Sequence, residues 1–83
     1  MPTILFVNGW RLFFFSNEGN EPPHIHAEKG GTEVKFWLRA DLYNIEEAYA
    51  HALNPKLRRE IRKIVFDHFE YLVEQWQTYF GTP

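Results

Sequence analysis

The spacing of apolar residues changes once along this chain, and the change divides it into two halves of different architecture. From Glu33 to Arg39 apolar and polar positions alternate, with Val34, Phe36 and Leu38 on one side and Lys35, Trp37 and Arg39 on the other. A period of two is the pattern of a half-buried strand. From Pro55 to Phe80 the spacing is helical instead. Leu57, Ile61, Ile64, Val65, Leu72 and Tyr79 share one stripe with His68 inside it, and Phe69, Trp76 and Phe80 widen the stripe along one flank.

Turn signals subdivide the first half. Asn8-Gly9 separates the apolar run Ile4–Val7 from Trp10–Phe15, and both turn residues tolerate positive φ, as a tight hairpin requires. Gly30-Gly31 separates a third strand, His24–Lys29, from the alternating segment. The expected fold is therefore α+β, an antiparallel meander of about four strands packed on one long C-terminal helix. Residues 1–83 form one domain, with the meander over 1–39, a connector or short helix over 40–54, and the long helix over 55–80. Asn44 is placed to cap the short helix, with Glu46 and Glu47 in its first turn. Asn54-Pro55 reads as an N-cap followed by proline at the first helical position, and Gly81 and Pro83 end the helix.

Composition narrows the function. The 83 residues include no cysteine, so neither a disulfide framework nor a thiolate metal site is available. A formal net charge of -2 argues against a strongly basic nucleic-acid binder. No apolar stretch reaches membrane-spanning length, and a basic start with a cleavage site is lacking. A soluble, cytoplasmic protein with no membrane partner is expected. Aromatic residues make up 18%, more than one small core hides, which points to a partner surface.

The chemistry concentrates between Ser16 and Glu28, in SNEGNEPPHIHAE. Pro22 and Pro23 restrain the loop that enters the third strand. His24 and His26 are two apart, so in an extended chain both rings emerge on one face. If the helix covers Ile25, Ala27, Val34, Phe36 and Leu38, the opposite face carries His24, His26, Glu28, Lys35, Trp37 and Arg39. On such a face His24 and His26 are acid–base candidates and Glu28 would orient one ring. Lys35 and Arg39 could hold a phosphate, and Trp37 could stack on a base. The bland alternative is a solvated sheet face. Metal binding by His24 and His26 is a further alternative, which needs a third ligand from Glu21, Glu28, His51 or His68.

The long helix carries its charges against the macrodipole. Lys56, Arg58, Arg59, Arg62 and Lys63 crowd its start, while Asp67, Glu70 and Glu74 come later. Arg58 and Arg62, one turn apart, are candidate anion or partner contacts.

MPTI, F-x-x-S-N-E-G-N-E-P-P-H-I-H, K-F-W-L and a terminal W-x-x-Y-F follow one another in that order. Across essentially the whole chain this order resembles the short prokaryotic proteins of domain-of-unknown-function family 4160. The matched motif positions are Ser16, Asn17, Glu18, Glu21, Pro22, Pro23, His24 and His26, and no catalytic role comes with them. The resemblance implies genomic company with a second small family, numbered 2442, in toxin–antitoxin-like pairs.

The expectation that follows is a partner-binding component of such a pair, acting on RNA through the His/Glu/Arg face. The alternatives are a non-enzymatic protein-binding module and a metal-binding protein. No cofactor is expected. The expected partners are a protein encoded nearby, RNA, and a second copy of the chain.

Overall fold

A computed structural model describes residues 3–15 and 19–81. Asn8 and Gly9, at φ 52° and 82°, turn β1 (Thr3–Val7) back on β2 (Trp10–Phe13), and the two strands pair antiparallel. Gly30 and Gly31, at φ 49° and 82°, do the same between β3 (His24–Lys29) and β4 (Thr32–Arg39). Both reversals need left-handed backbone, which asparagine and glycine adopt at least cost. A 2.9 Å hydrogen bond from the Leu38 N–H to the Pro23 carbonyl carries the β3–β4 pairing back into the preceding loop.

The meander continues past four strands. Where a connector or short helix was expected within 40–54, residues Asn44–His51 form β5, antiparallel to β4, so the sheet order is β1-β2-β3-β4-β5. Asn44 caps no helix; its side-chain oxygen accepts from the Ile45 N–H at 2.9 Å. The Leu42 N–H donates to the Arg39 carbonyl at 3.1 Å, and Tyr43 takes φ 48°, which reverses the chain against β4. The helix preference of Glu46, Glu47 and Ala48 amounts to tenths of a kcal/mol per residue. Satisfying the backbone edge of β4 along its length outweighs it.

The single helix expected over 55–80 is two, α1 (Pro55–Asp67) and α2 (Phe69–Phe80). The start is as expected, with Asn54 Oδ1 accepting from the Leu57 N–H at 2.8 Å and Pro55 in the first turn. The break is at His68, at φ −116° and ψ 19°. Its Nδ1–H and its backbone N–H both donate to the Ile64 carbonyl, at 2.8 and 3.2 Å. A side chain that competes for the i−4 carbonyl bends a helix in this way. His68 is accordingly half-buried, not a core residue, and regular bonding resumes with the Leu72 N–H on the His68 carbonyl at 2.9 Å.

The helices cover one face of the sheet. Trp10, Leu12, Phe14, Ile25, Ala27, Val34, Phe36, Leu38 and Ile45 pack there on Ile61, Ile64, Val65, Phe69, Leu72 and Trp76. Phe69 and Trp76, expected on the flank of the helical stripe, are in its buried centre, while Tyr79 is exposed. Glu60 fastens α1 to the sheet. Its Oε1 accepts from Trp10 Nε1 at 2.8 Å and from Lys29 Nζ at 2.7 Å. These two donors hold the Glu60 carboxyl below its ordinary value of 4.5, the Lys29 bond contributing most.

Candidate functional site

Strand register decides what shares a face with the histidines. In β3–β4, His24 stands opposite Trp37 and His26 opposite Lys35; in β2–β3, Phe13 stands opposite His26 and Arg11 opposite Glu28. Directly paired residues project to the same side of a sheet. The face away from the helical core thus carries Arg11, Phe13, His24, His26, Glu28, Lys35 and Trp37, and β5 adds Tyr49 opposite Lys35.

The two imidazoles are together but not open to solvent. Their ring centroids are 5.2 Å apart and nearly perpendicular. His24 is 0% exposed and His26 6%. Phe13 stacks on His26 at 5.5 Å, Phe15 meets it edge-on at 4.8 Å, and the Tyr49 hydroxyl lies 3.4 Å from its Nδ1. His24 meets Trp37 edge-on at 5.4 Å and the α2 indole of Trp76 at 4.7 Å. The expected solvated or catalytic surface is a second, smaller aromatic core. The physical reason lies in the sequence on either side of the motif, because Phe13, Phe15 and Tyr49 supply apolar rings at positions that alternate toward the histidines.

Lys35 belongs to the same cluster. Its side chain is 11% exposed, its ammonium is 3.0 Å from the Glu21 carboxylate, and it sits 4.3 Å from the Trp37 ring centroid. Carboxylate and aromatic face together compensate for the water this cation has lost. Glu21 is in the loop, so the ion pair ties loop to sheet. Two further bonds do the same. His24 Nδ1 donates to the Pro22 carbonyl at 2.9 Å, and Leu38 donates to Pro23. Glu21, Pro22 and Pro23 are thus fixed on the sheet by three separate contacts. Beside them opens a cleft of about 450 Å³, with Gly19–Pro23 on one wall and Trp76, Gln77, Phe80 and Gly81 on the other.

Glu28 and Arg39 share this face, as expected, but lie outside the buried cluster, while Arg58 and Arg62 are on α1. Glu28 shares the histidine face but pairs with Arg11 at 3.5 Å. Arg39 is exposed and holds Glu46 at 2.8 Å. Arg58 donates to Glu47 at 3.0 Å, which raises its already high pKa, and Glu47 stands opposite Phe36 on the helix-covered side. Arg62 lies 5.9 Å from the ring centroid of Phe66, its own neighbour on α1. Arg58 and Arg62 are therefore not part of the histidine cluster. Ser16, Asn17 and Glu18 lie outside the described residues. Among the described residues no group of three or more His, Cys, Asp or Glu is arranged to hold a metal ion. His51 is on β5 opposite Glu33 and His68 is at the helix break, so neither supplies the third ligand that His24 and His26 would need.

Sequence reasoning missed two members of the cluster. Tyr49 was hidden by the helical reading of its segment, although the eight residues of β5 match the length of β4. Trp76 was assigned to the helix flank, and nothing local in sequence links it to His24.

No curated protein and no solved structure matches the chain. One family model matches from Gly9 to Gln77, spanning all of β2 to α1, the proline–histidine motif and most of α2; its description is "Domain of unknown function (DUF4160)". The chain belongs to that family.

Proposed function

We propose that this protein is a non-enzymatic partner-binding module that recognises another protein through the loop Gly19–Pro23 and the adjoining end of α2. The observation that carries this reading is the triple anchoring of Glu21, Pro22 and Pro23 to the sheet. A loop already held in one conformation loses little entropy on binding. The cleft beside it offers the half-buried Phe80 ring as aromatic surface, held in place by the buried Trp76 at 4.2 Å, and aromatic rings are a common source of binding energy in interfaces. In this reading His24, His26 and Lys35 shape the loop from beneath and do not touch the ligand. The partner is the protein encoded alongside, in the two-gene arrangement that the resemblance implies, and an extended apolar segment of that protein enters the cleft.

RNA cleavage by His24 and His26 would need a phosphate within reach of both rings. Rings sealed by Phe13, Phe15, Tyr49 and Trp76 speak against it.

The test is calorimetric titration with the neighbouring gene product, alongside incubation with cellular RNA. Wild type is expected to bind, Phe80→Ala and Pro22→Gly/Pro23→Gly to bind at least about tenfold more weakly, a loss of about 1.4 kcal/mol, and RNA to stay intact. Undiminished binding by both variants, or no binding by wild type, overturns the proposal. RNA cleavage that disappears in His24→Ala/His26→Ala would also overturn it.

A further inference from the structure

The sheet ends at β5, and this edge differs from an ordinary guarded one. Only Ile45 of its eight residues is buried. Tyr49 is 50% exposed, and Leu42 and Tyr43, in the turn that leads into the strand, are exposed as well. Proteins usually protect a long edge with lysine, proline, unbalanced charge or a bulge, and of these β5 has only a bulge, at Ala48. Residues 44–51 contain no lysine and no proline. Both carboxylates are neutralised within the chain, Glu46 by Arg39 at 2.8 Å and Glu47 by Arg58 at 3.0 Å.

Register adds a second observation. The β4–β5 pairing slips between Lys35–Tyr49 and Phe36–Glu47, which leaves Ala48 as the bulged residue. The bulge shifts the alternation by one position. Asn44, Glu46, Tyr49 and His51 consequently face the histidine side, while Ile45, Glu47 and Ala50 face the helix side. Antiparallel self-pairing centred between Glu47 and Ala48 then matches every facing position to its own side. Asn44 meets His51, Ile45 meets Ala50, and Glu46 meets Tyr49. No carboxylate faces another carboxylate, and the small Ala48 leaves room at the two-fold axis.

We propose that β5 pairs antiparallel with β5 of a second copy, joining two sheets into one continuous ten-stranded sheet. The contact is isologous and closes on itself, so it yields a dimer and no longer polymer. Backbone hydrogen bonds supply the attraction, and the facing side chains set the register.

Sedimentation equilibrium and concentration-dependent hydrogen exchange test it on the whole chain. Wild type is expected at twice the 10.0 kDa chain mass, with β5 amides gaining protection as concentration rises. Ala48→Glu puts a carboxylate opposite Glu47 of the other copy twice over and is expected to weaken the dimer at least about tenfold. Ala48→Lys at the same exposed position controls for folding and bulk, puts an ammonium there instead, and is expected to remain dimeric. A monomer at every concentration overturns the proposal, as do a series of larger polymers, a dimer indifferent to Ala48→Glu, and equal loss in both variants.

Discussion

Nδ1 of the His24 ring lies 2.9 Å from the carbonyl oxygen of Pro22, two residues earlier in the chain. A carbonyl only accepts, so Nδ1 carries the proton, and the bond closes the chain on itself where the loop meets β3. Because His24 is fully buried, the bond forms away from competing water. His24→Phe preserves ring packing against Trp37 and Trp76 but removes the donor, and is expected to cost about 1–2 kcal/mol. His24→Ala also opens a cavity and is expected to cost about 3 kcal/mol or more. Urea denaturation measures both, and an alanine variant as stable as wild type contradicts the structural role.

Glu60 sets an acid limb on stability. Its carboxyl is held below 4.5, first by the hydrogen bond from Lys29 and then by that from the Trp10 indole. A carboxylate with a depressed folded-state value stabilises the fold above its unfolded value, and that contribution is lost as pH falls through the folded value. The melting temperature of wild type should therefore exceed that of Glu60→Gln at neutral pH, and the gap should close on acidification below 4.5. A gap that stays constant across the acid titration would show that the charge of Glu60 is irrelevant.

What sequence could show was set by the range of the interactions. The turns at Asn8-Gly9 and Gly30-Gly31, the alternation of Val34, Phe36 and Leu38, and the Asn54 cap are decided within a few residues, and each forms as its local chemistry dictates. The same alternation placed His24 and His26 on the face opposite the helical core. Segment 44–51 was misread because its helix preference is local, while the unpaired edge of β4 that captures it is not. The break at His68 was missed because helical spacing of apolar residues runs unbroken through it. The difference between an open face and an aromatic core came from Phe15, Tyr49 and Trp76, which reach the histidines from three other segments.

Gly19 is required by a close approach. A Cβ at this position would lie 2.8 Å from Cδ1 of Phe80. The Phe80 ring cannot move freely, because it packs on Trp76 at 4.2 Å and on Phe14 at 5.6 Å. Gly19→Ala is expected to destabilise the fold by about 1–2 kcal/mol. The same change in a Phe80→Ala background should cost much less, since the obstructing ring is gone. Equal costs in the two backgrounds, read from denaturation curves, would place the origin of the effect elsewhere.

The ion pair between Lys35 and Glu21 is expected to be coupled, not additive. Glu21→Gln leaves a largely buried ammonium with only a neutral amide and the Trp37 face, whereas Lys35→Met removes the cation that needed the acid. Removing one partner of a desolvated pair costs more than removing both. Because the Glu21 side chain is 39% exposed, solvent screening reduces the effect, and a coupling of about 1 kcal/mol is expected. A double-mutant cycle on Glu21→Gln and Lys35→Met measures it directly. The coupling should shrink only modestly in high salt, because one side of the pair is shielded from ions by Trp37. Strict additivity of the two substitutions would mean that the loop is held by the His24–Pro22 and Leu38–Pro23 hydrogen bonds alone and that Lys35 does not anchor it.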